Sequence, residues 1–158
     1  MVEIYVFCCS GGRTFPGNLI TTSLFTLFEA YIVSFICSVT GNTSGNSVVF
    51  LAALMTLTVT VACTLYAIFT DRDFTTCGAL LFGVAGIMLV LFIILLFTDS
   101  PFLHTLYCAL GAFLASIYII VDTQMIVGGK SVELTVDEYY FGALLLYIDI
   151  ITLFLYLL

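Results

Sequence analysis

Residues 79–97 read ALLFGVAGIMLVLFIILLF, nineteen positions without one polar side chain. At 1.5 Å per residue a helix of that length spans about 29 Å, close to the ~30 Å hydrocarbon core of a bilayer. A barrel strand crosses the same layer with only ~10 residues, and backbone buried in lipid must satisfy its own hydrogen bonds, so the run reads as a transmembrane helix. Working outward, residues 102–127 and 139–158 downstream and 48–69 and 19–40 upstream meet the same requirement. The separators 41–46, 70–78, 98–101 and 128–138 are rich in Gly, Asn, Ser, Thr, Asp and Pro and read as turns. The fold class is an all-α integral membrane protein, a bundle of about five transmembrane helices forming a single domain over residues 1–158.

Composition agrees with that reading. The 158 residues are 63% hydrophobic and 8% charged, with mean hydropathy +1.27, far outside the range of soluble domains. Arg13, Arg72 and Lys130 are the only basic side chains besides His104, so no basic patch exists to neutralise phosphates, and nucleic acid is excluded as a partner. A formal charge of −7 favours attraction of cations. The six cysteines show no C-x-x-C spacing, which leaves zinc or thioredoxin chemistry without a scaffold. Cys8 and Cys9 read as a structural pair, with palmitoylation as the alternative. Residues 1–12 lack the basic and apolar regions of a cleavable signal peptide.

All three basic residues fall on one side of the serpentine, which the positive-inside rule makes cytoplasmic. His104 lies at a span end, and Arg72 between Asp71 and Asp73 reads as a solvated loop charge set.

The informative residues are acids inside spans: Glu29, Asp122 and Asp149. An Asp at a helix centre costs ~2.5 to 3.5 kcal/mol on insertion scales and usually faces a partner or a wet cavity. In the fourth span His104, Cys108, Gly111, Ala115, Tyr118 and Asp122 follow a 4-3-4-3-4 spacing that puts them on one helix face. The fifth repeats it with Glu138, Gly142, Leu145, Asp149, Thr152 and Tyr156. Thr22, Thr26, Glu29 and Val33 in the first span, and Thr56, Thr60, Cys63 and Ala67 in the second, form shorter seams. Small and polar residues on one face mark the side that meets other helices rather than lipid, so Gly111, Ala115, Tyr118, Gly142 and Thr152 are expected to line the contact. The third span supplies packing only. A short loop makes the fourth and fifth spans antiparallel neighbours, which would bring Asp122 and Asp149 within reach. Two carboxylates sharing such a site cannot both ionise cheaply and would titrate as a unit.

These residues carry a resemblance. Val121-Asp122-Thr123-Gln124, Gly128-Gly129-Lys130, Asp137-Glu138-Tyr139 and Tyr147-Ile148-Asp149-Ile150-Ile151, in that order, resemble the C-terminal signature of the Bax-inhibitor-motif family in its lifeguard branch. Asp73-Phe74-Thr75-Thr76-Cys77-Gly78 and Leu24-Phe25-Thr26-Leu27-Phe28-Glu29 are similar to that family's loop and third span. The resemblance implies a helical protein of the endoplasmic reticulum, Golgi or plasma membrane that leaks calcium in a pH-dependent way and restrains cell death. Its paired acidic pH sensor maps onto Asp122 and Asp149, with Glu29 as a further position on the ion path. Family members usually have seven spans, so the five here correspond to the third to seventh, and a truncated isoform or a fragment is expected.

Two functions of different classes follow. One is a pH-sensitive calcium leak channel with the Asp pair as proton sensor, calcium being the permeant ion and no cofactor being needed. The alternative is a non-conducting regulator that binds other membrane proteins, apoptosis regulators among them. An enzyme is not expected: no nucleophile-base pair or phosphate loop is present, and Val121-Asp122 and Ile148-Asp149 lack the Tyr-Asp and Gly-x-Gly-Asp contexts of intramembrane aspartyl proteases.

Overall fold

A computed structural model describes residues 17–134 and 139–158. The expectations for Cys8, Cys9, Arg13 and Glu138 lie outside the described residues. Five long helices, each apolar enough to cross a membrane, make up the chain: α1 (Gly17–Ser44), α2 (Asn46–Phe69), α3 (Gly78–Phe97), α4 (Pro101–Val127) and α5 (Tyr139–Leu157). A single 3₁₀ turn, Thr75–Cys77, leads into α3. No strand occurs among the described residues.

Helix ends follow local chemistry. Pro101 occupies the first turn of α4, where its missing N–H costs nothing. At the other end Gly128 (φ +78) and Gly129 (φ +76) take left-handed backbone that a side chain would strain, and the Gly128 N–H closes the helix on Gln124 O at 3.0 Å. The turn expected over 41–46 is a correction: α1 continues to Ser44, and only Gly45, at φ +96, interrupts the path into α2. Thr43 satisfies its hydroxyl within the helix by donating to Val39 O (3.0 Å), and the Gly45 N–H continues the helical ladder to Gly41 O (3.1 Å). The two arms meet so closely that a Cβ on Gly41 would lie 2.5 Å from Asn46 Oδ1.

The centre of the bundle is the α4/α5 pair, with α2 packed on both, α1 against α2 and α5, and α3 against α4 alone among the helices. Each contact uses the face that lipid cannot reward. Ala115, Ile119 and Leu153 close together with Val59 and Cys63 of α2, and Leu81 and Met88 of α3 meet Leu114 and Val121 of α4. The outer faces stay apolar and open, Phe82 and Phe97 of α3 being 81% and 85% exposed, as helices bathed in lipid require. On α1 the inward face is set by Phe25, buried against Leu144, and by half-buried Glu29 and Val33, whereas Thr26 points outward. That corrects the expected first-span seam by one position. A 100° step per residue places Thr26 off the stripe that Phe25 and Glu29 share, and its hydroxyl satisfies itself on Thr22 O at 2.9 Å.

Candidate functional site

Asp122 sits one turn beyond Tyr118 on α4 and is 7% exposed. Its carboxyl lies against that of Asp149 on α5. Asp149 Oδ2 is buried, and among the described residues no N–H or O–H donor reaches it. Carboxylates only accept hydrogen bonds, so two that share a dry site repel one another when both are charged. Tyr118 lies within the field of both carboxyls. Two further buried hydroxyls, Thr60 Oγ1 on α2 and Thr123 Oγ1 on α4, also lack a partner among the described residues. Buried polar atoms are normally satisfied, so Thr123, next to Asp122 in sequence, and Thr60 are exceptions within the bundle. Among the described residues no three His, Cys, Asp or Glu side chains converge in metal-binding geometry.

Toward the far end the seam is filled. An added Cβ on Gly111 would overlap the Tyr156 ring, so only glycine admits the ring there. The Tyr156 hydroxyl lies 3.3 Å from that of Tyr107. Ala115 is buried in the α2–α4–α5 core, and Gly142 lets Ile126 and Leu134 approach to 3.0 Å of where a Cβ would stand. Thr152 opens with His104, Tyr107 and Cys108 onto a cleft of about 410 Å³. His104 itself is exposed, its Nδ1 3.8 Å from Cys108 Sγ. Glu29 lies within the field of Tyr147, whose ring meets Phe25 edge-on at 6.4 Å.

A second polar group, at the Arg72/Lys130 end, was not anticipated. Gln124, 1% exposed, accepts from the Phe74 N–H (2.9 Å) and donates to Arg72 O (2.9 Å), stitching the end of α4 to the 70–74 loop. Asp73 accepts from the Thr75 N–H and hydroxyl (3.0 and 2.6 Å) and from the Ser131 N–H and hydroxyl (3.0 and 2.5 Å). Lys130 Nζ donates to Thr70 O at 3.1 Å. Asp73 is therefore more than a solvated loop charge: the hydroxyls of Ser131 and Thr75 hold its carboxyl well below the usual carboxylate range. Arg72 and Asp71 remain exposed, as expected. The available signal was Gln124, a large polar side chain in the last turn of α4, and the Asp-x-Thr spacing that closes a local turn.

A family model described as inhibitor of apoptosis-promoting Bax1 matches residues 1–158. Protein lifeguard 3 of Mus musculus is 34% identical over 157 residues, covering 96% of this chain and 49% of the relative. The Homo sapiens protein lifeguard 3 is 35% identical with the same coverage, and Protein LIFEGUARD 3 of Arabidopsis thaliana is 32% identical over 147 residues, 90% of this chain and 56% of the relative. The chain thus spans about half the length of the curated relatives it matches. With five membrane-spanning helices and these matches across its length, the chain is a multi-pass integral membrane protein that belongs to the Bax-inhibitor family, in its lifeguard branch.

Proposed function

We propose that this chain restrains cell death from within a membrane, and that Asp122 and Asp149 form the proton-sensitive element of a calcium leak. The observation that carries the reading is the contact between two carboxyls of neighbouring helices inside the bundle. Carboxylate oxygens are the hard ligands that calcium takes, and proton and cation compete for the same atoms. A pair holding one proton attracts a divalent cation less than a pair holding none. The printed description of the family model, an inhibitor of apoptosis-promoting Bax1, supports the cell-death part. The compartments in view are the endoplasmic reticulum, Golgi and plasma membrane.

Calcium entry into dye-loaded proteoliposomes, followed from acid to neutral pH, tests the leak. Asp149→Asn is expected to change both the rate and its pH midpoint, because removing one member alters the field at the other. Glu29→Gln, which sits beside Tyr147 instead, should leave the midpoint in place. Identical pH profiles for wild type and Asp149→Asn would remove the pair as sensor.

A second reading, a non-conducting regulator that binds apoptosis proteins through its helices, is supported by the closure of the seam. Tyr156 fills the space at Gly111, and Ile119 and Leu153 are 0% and 1% exposed between there and the pair. Absence of flux from any protein, with cell-death suppression intact in cells, would select it.

A further inference from the structure

We propose that the 70–75 and 128–134 loops form a clamp that closes the Asp122/Asp149 pair off from the adjacent aqueous phase, so that releasing the clamp admits protons and cations. The proposal rests on the reading of the pair as the functional site. Its starting point is depth. Asp122 lies six residues before Gly128, about 9 Å along the axis from the end of α4, so the loops that follow and flank that end are the nearest chain segments beyond it. Two apolar side chains of those loops pack onto α4 and α5 near the pair. Phe74 packs against the cluster of Leu81, Met88, Leu114 and Val121, the last being the residue next to Asp122. Leu134 reaches the contact of Ile126 with Gly142, and its N–H bonds to Met125 O at 2.9 Å.

Neither lid residue is held by its own packing alone. Phe74 is tied by its N–H to the buried Gln124, two residues from Asp122. The loop carrying Leu134 is tied to the loop carrying Phe74 through Asp73, which accepts from both the N–H and the hydroxyl of Ser131, and through the Val132 N–H on Thr75 Oγ1 (3.3 Å). Lys130 adds a third tie, to Thr70 O. The two lids are therefore one unit with Asp73 as its hub. Because the Ser131 and Thr75 hydroxyls keep Asp73 ionised below the usual carboxylate range, the hub holds its charge while more acidic conditions than neutral reach the pair. The clamp thus sets access, and the pair behind it does the sensing.

The test uses the full chain with its native cysteines replaced and a single reporter, Thr123→Cys, at a buried position beside Asp122, reconstituted in liposomes. An impermeant maleimide is added from the clamp side. Ser131→Ala and Asp73→Ala are each expected to speed labelling at least about tenfold, ~1.4 kcal/mol in the opening equilibrium. Ser131→Thr, which keeps the hydroxyl, should restore the slow rate. Ser131 is exposed on a loop, so its substitution keeps the test informative if Asp73→Ala fails to fold. A second reporter, Ala115→Cys, reads the core farther along α4 and should not respond. Unchanged labelling at position 123 in both alanine variants overturns the clamp, whatever the calcium flux does. Equal acceleration at positions 115 and 123 also overturns it, since that is general loosening. Faster labelling at 123 alone supports the clamp even if no protein conducts calcium, in which case the leak fails and the clamp stands.

Discussion

Gly111→Ala is the smallest change that challenges the packing of the α4/α5 seam. The new Cβ would lie 2.5 Å from Tyr156 Cζ and 2.6 Å from Cδ1, with Cε1 between them. Carbon pairs prefer ~3.5 to 4.0 Å, so the ring must retreat by about 1 Å. Overpacking of this kind costs ~1 to 3 kcal/mol. Retreat also breaks the 3.3 Å contact with the Tyr107 hydroxyl, worth ~1 kcal/mol. Clefts of about 410 and 350 Å³ border Tyr156 and give the ring somewhere to go, which favours the lower part of the range. A loss of about 2 kcal/mol is expected, or about 4 to 8 °C in Tm for a chain of this size. The assay is thermal unfolding in detergent, read by a thiol-reactive dye, since Cys37, Cys63, Cys77 and Cys108 are free and partly buried within the fold. The decisive arm is Tyr156→Leu. On that background Gly111→Ala should cost less than about 0.5 kcal/mol, because the partner that creates the overlap is gone. An equal cost on both backgrounds would refute the argument that Gly111 is glycine for the sake of Tyr156.

The remaining expectations concern the loop end of the bundle. Gln124→Leu leaves the Phe74 N–H and Arg72 O without their partner and should destabilise by about 2 to 4 kcal/mol in the same unfolding assay. Gln124→Glu keeps an acceptor for the Phe74 N–H but faces Arg72 O with an oxygen, so its stability should recover as pH falls and the new carboxyl gains a proton to donate. For Asp73 the folded carboxyl lies below its unfolded value, so its contribution is fully present above about pH 3.9 and is lost only as pH drops through the folded value. Wild type should therefore show little change in stability from this group between neutral pH and about pH 4, and Asp73→Asn should flatten the acid limb below that. Single cysteines placed in the Arg72 and Lys130 loops should label with an impermeant reagent from one side and those near Gly45 and Asp99 from the other, the basic side being cytoplasmic. Labelling of Arg72 and Gly45 positions from the same side would contradict the serpentine.

How far the sequence reached depended on the range of the interaction. A transmembrane helix is decided within its own twenty or so residues, so the five helices were legible from run length. The facing of Asp122 and Asp149 was legible because a short loop and a repeated 4-3-4 spacing constrain two helices at once. Glu29 was harder. Its helix has a wide apolar face, and nothing in the spacing of its threonines says that Phe25 rather than Thr26 turns inward; only contact with Leu144 decides that. The loop clamp was out of reach, because Asp73 with Ser131 and Gln124 with Phe74 join residues 58 and 50 positions apart. Such pairs are fixed by how helices α2 to α5 stack, after which a charge that looks solvated becomes a hub.

The single-residue break at Gly45 also bears on how the chain enters a membrane. A connection of one residue, with Gly41 in close approach to Asn46, leaves no hydrophilic loop long enough to be threaded across ahead of the second arm. Carrying α1 and α2 in one after the other would strand a half-made turn in hydrocarbon, where each unpaired backbone group costs several kcal/mol. During biogenesis the two arms are thus best delivered as one closed hairpin. Its short polar tip is all that has to be hauled to the opposite face.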